Sequence, residues 1–132
     1  MIYKKSTTYS SIILIAGLAL LSTLLVENAF AQTPYYYPVS GTLAPGTAHV
    51  YGPYGRGIIA IQVALSWTPS YTCLDVGNCT NSTGPFTGYR QCGSPKTWSF
   101  GGLDVYKSYF IVIGNPNAVT VSYSGNIICW RL

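Results

Sequence analysis

Between residues 58 and 67 the apolar side chains fall on every second position: Ile59, Ile61, Val63, Leu65 and Trp67 alternate with Ala60, Gln62, Ala64 and Ser66. Successive side chains of an extended backbone leave on opposite faces, so a period of two is that of a half-buried β-strand. A chain holding such a strand needs a second layer to cover its apolar face. Downstream of residue 46, further short apolar or alternating stretches are centred on 47–51, 71–76, 86–91, 96–100, 105–113 and 119–132. They are punctuated by Gly52-Pro53, Thr68-Pro69-Ser70, a polar loop over 77–85, Gly93-Ser94-Pro95, Gly101-Gly102 and Gly114-Asn115-Pro116-Asn117. Glycine, proline and asparagine at these positions favour turns over continuation of a strand. No stretch after residue 31 repeats its apolar residues at helical spacing. The pattern predicts an all-β fold, a single antiparallel β-sandwich or jelly roll of about six to eight strands.

Two stretches demand extra cover. In 105–113, Tyr109, Ile111 and Ile113 alternate with Tyr106, Phe110 and Val112, so both faces are apolar and the strand is expected to be central. The last strand opens with Val119, Val121 and Tyr123, bends at Ser124-Gly125-Asn126 and stays apolar to Leu132. Ahead of the sandwich domain, placed at 46–132, the segment 32–45 is rich in tyrosine and carries Pro34 and Pro38. Proline confines such a segment to a sheet edge or to polyproline geometry, so 32–45 is expected to be extended and a poor central strand.

The first 31 residues read as an apolar signal helix. Lys4 and Lys5 give a basic start, 12–26 an apolar run, and Ala29-Phe30-Ala31 a small-x-small cleavage site. The run is shorter than the roughly 20 residues a bilayer span needs. Removal would leave a chain starting at Gln32, secreted or held at the cell surface. Two alternatives keep the helix: cleavage after Lys5, as in type IV pilins, or retention as a membrane anchor, and only these make the membrane a partner.

Charged residues make up 8% of the chain. Beyond residue 31 they are Arg56, Arg90, Lys96, Lys107 and Arg131 against Asp75 and Asp104, scattered without a run or stripe. That excludes the electrostatic footprint of a nucleic-acid-binding protein. It also leaves few carboxylates to protonate, so the fold is expected to tolerate acid. The 4 cysteines, Cys73, Cys79, Cys92 and Cys129, form an even set in an exported chain and are read as disulfides. All pairings are open on paper; the preferred one joins Cys73 to Cys79 and Cys92 to Cys129, the first closing a local loop and the second tying down the last strand. Paired C-x-x-C units are missing, so neither a zinc site nor any other metal or cofactor is expected.

Asn78-Cys79-Thr80 and Asn81-Ser82-Thr83 are both N-x-Ser/Thr acceptors, and glycosylation is expected at Asn78 or Asn81, with Asn81 ahead because a disulfide at Cys79 would encumber the first. His49 is the 1 histidine of the chain. A catalytic role would need a nucleophile and an orienting acid, for which Asp75 and Asp104 are the sole carboxylates, and no nucleophile elbow surrounds any serine. No catalytic residue and no enzyme activity is therefore expected. Trp67 continues an apolar strand face and belongs to the core. Trp98, and Tyr54 in the glycine-rich turn 51–56, are the candidates for an exposed surface that would stack on glycans.

Leu65-Ser66-Trp67-Thr68-Pro69-Ser70, Asn81-Ser82-Thr83-Gly84, the stretch 109–116 and Val121-Ser122-Tyr123-Ser124-Gly125 together resemble small extracellular β-sandwiches of the pre-peptidase C-terminal type. That resemblance implies a non-catalytic binding or stabilising role. The layout of signal, proline-containing segment and sparsely charged β-domain is similar to that of archaeal surface threads and pili, which implies self-assembly in which a strand of one subunit completes the next. The chain thus reads as a non-catalytic extracellular structural or adhesive protein, a filament or envelope subunit assembling by β-strand addition. The alternatives are a secreted carbohydrate-binding module and a membrane-anchored or pilin-like protein.

Overall fold

The computed structural model describes residues 4–8, 13–14 and 33–132, and for the first two segments the backbone alone. Among these residues ten strands run in chain order: β1 Lys4–Thr8, β2 Ile13–Leu14, β3 Pro34–Leu43, β4 Thr47–Tyr51, β5 Ile58–Thr68, β6 Cys73–Cys79, β7 Thr87–Cys92, β8 Lys96–Phe100, β9 Phe110–Gly114 and β10 Val121–Arg131. One sheet has the order β1-β4-β9-β6-β7, the other β2-β3-β10-β5-β8. The eight strands from β3 to β10 form two antiparallel sheets packed face to face, the expected β-sandwich. The expected signal helix falls outside the described residues, except that Lys4–Thr8 and Ile13–Leu14 lie in strands. No helix among the described residues is long and apolar enough to cross a membrane.

The period of two in β5 decides what fills the interior. Ile61, Val63, Leu65 and Trp67 point inward and meet Leu74 and Val76 of β6 and Ile111 and Ile113 of β9 in one buried cluster. Each such side chain taken fully out of water contributes roughly 1.5–3 kcal/mol, so this interleaving is the main driving force of the fold. Trp98 is fully buried within it, its ring 5.9 Å from that of Trp67. Central in its sheet, β10 pairs with β3 on one side and β5 on the other, and the ladder runs through the expected bend at Gly125 without a break. A side chain at Gly125 would run into the carbonyl of Ala64 on β5, which is why this position carries none.

Three sequence expectations are corrected. The segment 32–45 is not separate from the sandwich: Pro34–Leu43 is a full strand whose Tyr37, Val39 and Leu43 are buried in the core and cover β10. The proline rule holds nonetheless, since among the described residues only the two-residue β2 lies beyond β3. The doubly apolar strand starts at Phe110, not at 105, because Asp104 folds the preceding residues into a turn. Its Oδ1 accepts the Tyr106 amide at 2.9 Å and its carbonyl the Lys107 amide at 3.1 Å. Gly77 belongs to a strand and not to a loop, because β6 stays paired with β9 as far as Cys79 opposite Phe110.

The cysteines follow from the same registers. Cys73 of β6 lies directly opposite Cys92 of β7, and these two form the disulfide. Cys79 and Cys129 are free thiols. The preferred pairing is therefore wrong on both counts. Cys73 and Cys79 stand at the two ends of one extended strand, about 20 Å apart at 3.3 Å per residue, beyond the reach of a bridge. Cys129 points into the core from β10, whereas Cys92 lies exposed on an edge strand of the other sheet.

Candidate functional site

The two flanks of the sandwich differ. On one, β7 and β8 are stitched together by side chains: Trp98 Nε1 donates to the Tyr89 carbonyl at 2.9 Å, the Ser99 amide to the Tyr89 hydroxyl at 3.1 Å, and Gln91 Nε2 to the Thr97 carbonyl at 2.7 Å. These bonds close the gap between the sheets and keep the two edge strands in place. On the other flank, β3 and β4 are joined by the tight turn at Ala44-Pro45-Gly46, where Thr47 donates both its amide and its hydroxyl to the Ala44 carbonyl.

That second flank accepts strands from outside the eight. Lys4–Thr8 adds to β4 in parallel, with Lys4 opposite Thr47 and Thr8 opposite Tyr51. Ile13 and Leu14 add to β3 antiparallel, opposite Tyr36 and Tyr35. The Asn115 amide donates to the Thr47 carbonyl, so that carbonyl faces inward to β9, and by the alternation of a strand the backbone groups of Ala48 and Val50 face outward to the added strand. An edge strand with unpaired outward groups is a template for another extended segment.

Behind this edge the interior is polar and organised. His49 turns inward from β4, its Nδ1 2.6 Å from the Tyr123 hydroxyl, which is in turn 2.5 Å from the Tyr51 hydroxyl; Tyr51 also reaches the Ser40 carbonyl at 3.4 Å. Gly41 on β3 makes room for the His49 ring, since a Cβ there would overlap it. Burial lowers the pKa of His49 from its ordinary 6.5, and burial together with its hydrogen bond to Tyr51 raises that of Tyr123 far above the phenol range. Asp75 leaves the same sheet on the opposite face, where it is buried and takes Arg90 Nε at 2.8 Å and Nη2 at 3.2 Å. His49 and Asp75 therefore do not come together as a base and its orienting acid. Asp104 is spent on its own turn. Among the described residues no group of three or more His, Cys, Asp or Glu gathers.

The expected aromatic contact surface is corrected. Trp98 is 0% and Tyr54 7% exposed, so neither can stack on a glycan. Tyr54 is drawn inward because its loop is pinned from the chain end: Arg131 donates to the carbonyls of Arg56 and Tyr54, and the Leu132 amide to the Gly57 carbonyl. Its ring then packs 4.6 Å from that of Tyr37, and its hydroxyl is buried with no hydrogen-bond partner among the described residues. Trp67 is in the core as expected. Among the described residues the aromatic side chains most open to solvent are Tyr71 at 76% and Tyr106 at 80%, both in turns where the sequence pattern places strands.

Asn78 and Asn81 differ in setting. Asn78 lies within β6, between β7 and β9, and its Nδ2 donates to the Thr87 carbonyl at 3.4 Å. Asn81 is exposed in the loop after β6.

No protein-family model and no curated protein matches the chain. Among solved structures it is similar to the Yersinia pseudotuberculosis-derived mitogen, with a TM-score of 0.50, 15% identity and coverage of 75% of this chain and 86% of that one. It is also similar to Aeromonas hydrophila PliG, a periplasmic inhibitor of g-type lysozyme, with a TM-score of 0.50, 11% identity and coverage of 97% and 98%. At these identities the likeness defines the class of fold, a small two-sheet β protein.

Proposed function

We propose that this chain is a non-catalytic extracellular structural or adhesive protein whose copies associate by adding a strand at the β3/β4 flank. The observation that carries this reading is the pairing of Lys4–Thr8 with β4 and of Ile13–Leu14 with β3, because both added strands lie in the segment read as a removable signal. Once that segment leaves, one edge in each sheet is open on the same side of the sandwich. An extended stretch from a neighbouring copy can then fill each edge through backbone hydrogen bonds, which demand little of its sequence. The disulfide fits an oxidising exterior. A surface with few charges offers little repulsion to close packing between copies. The layout shared with archaeal threads and pili supports the same reading.

The test is the size of the 32–132 chain in solution, by light scattering and negative-stain microscopy, with and without a synthetic peptide of residues 4–14. Oligomers or filaments that shrink when the peptide is added are the expected result. A monomer at every concentration overturns assembly, and oligomers indifferent to the peptide overturn the assignment to this flank.

A further inference from the structure

We infer that Asn81 is an N-glycosylation site and that Asn78, three positions earlier in an equally good acceptor motif, is not. The acceptor motif does not separate them, since each is followed by Thr two residues on, and the sequence argument for Asn81 falls away because Cys79 is a free thiol. The fold does. To present Asn78, the transferase would have to pull the last residues of β6 away from both β7 and β9 and break the bond from its Nδ2 to the Thr87 carbonyl.

Asn81 sits clear of both sheets. Its Oδ1 accepts the Thr83 amide at 2.9 Å and the Thr83 hydroxyl at 2.7 Å, and its carbonyl accepts the Gly84 amide at 3.1 Å, closing a turn that holds the three motif residues together. Nδ2 has no hydrogen-bond partner among the described residues and stands on an exposed side chain. Two donors on Oδ1 draw electron density from the amide and make the Nδ2 protons easier to remove. The Thr hydroxyl required by the motif is thus already directed at the group it has to act on.

The reaction takes a glycan activated as a lipid-linked phosphate ester, supplied with its transferase by the export machinery. The bond from Nδ2 to the sugar's anomeric carbon forms as the bond from that carbon to the phosphate oxygen breaks. The lipid phosphate leaves with the electron pair, and one Nδ2 proton passes to a base of the transferase. No oxidant or reductant is involved. This inference rests on export of the chain, the premise of the function proposed above.

The experiment is intact mass measurement on protein isolated from its source cells, with fragmentation of the tryptic peptide 57–90, which carries both asparagines, and Edman sequencing of the N-terminus. A mass above that of the polypeptide, located on Asn81, is expected. The added mass should disappear in Asn81→Gln and in Thr83→Ala and persist in Asn78→Gln and in Thr83→Ser, which keeps the hydroxyl. An unmodified chain that starts at Gln32 overturns the glycosylation and leaves export standing. A chain starting at Met1 and free of sugar overturns both, and sugar on Asn78 that survives Asn81→Gln overturns the choice of site.

Discussion

Trp98 is the residue whose reading changed most between sequence and structure, and replacing it with alanine separates the two assignments. The indole is fully buried, 5.9 Å from the Trp67 ring, and its Nε1 donates to the Tyr89 carbonyl at 2.9 Å. Truncating a buried aromatic residue costs about 3–5 kcal/mol, from lost transfer free energy and the cavity left behind. The lost hydrogen bond adds little, because Tyr89 is on an edge strand and 45% exposed, so water can replace the donor. A figure of about 4 kcal/mol is a large part of the roughly 5–15 kcal/mol that holds a domain of this size together. It corresponds to a fall in melting temperature of about 15–30 °C. Trp98→Phe keeps most of the volume and should lose only about 1–2 kcal/mol. Circular dichroism melts and urea titrations of the wild type and both variants measure this directly. A Trp98→Ala protein that loses less than about 1 kcal/mol would refute the core assignment and return the indole to the surface.

The disulfide, the free thiols and the histidine each give a further test. Breaking Cys73–Cys92, which are separated by 19 residues in sequence, should cost about 3 kcal/mol through the wider freedom of the unfolded chain, read as a lower urea midpoint in the double Cys→Ser variant. Burial pushes the Cys129 thiol up to about 12, whereas Cys79 is half-buried at a strand end. A maleimide should therefore label Cys79 alone in the native protein and Cys129 only in denaturant; labelling of both under native conditions would contradict the buried position of Cys129. Because His49 has a lowered pKa when folded, the unfolded chain takes up its proton first as pH falls. Stability from the neutral ring is complete above about pH 6.5 and declines below it, until the folded form is protonated too. Between pH 7.5 and 5 the melting temperature should drop more for the wild type than for His49→Gln, and equal drops would exclude His49 as the cause.

The sandwich was legible because its signal is local. Alternation over Ile61, Val63, Leu65 and Trp67, together with glycine and proline between the strands, needs no partner to be recognised, although at the start of β5 it is Ile58 and not the expected Ile59 that is buried. The boundaries at Phe110 and Cys79 were not, since one depends on the Asp104 turn and the other on which strand lies alongside. Tyr54 and Trp98 were misplaced for a related reason. A glycine-rich turn looks exposed until Arg131, at the far end of the chain, is seen to hold it down, and a tryptophan in a short strand shows its face only once the register with β5 places Trp98 opposite Val63.

By itself, then, the sequence determined the fold class, the single sandwich domain, the inward face of β5 and the positions of two acceptor asparagines. Those properties follow from side-chain periodicity and local turn chemistry, which act between residues a few positions apart. The tertiary structure decided which cysteines bond, which asparagine is presented, which aromatic residues are buried and which flank takes an added strand. Each of these depends on the register between strands distant in sequence. A shift of one residue in register turns every side chain to the opposite face, so residue type alone could not have settled them.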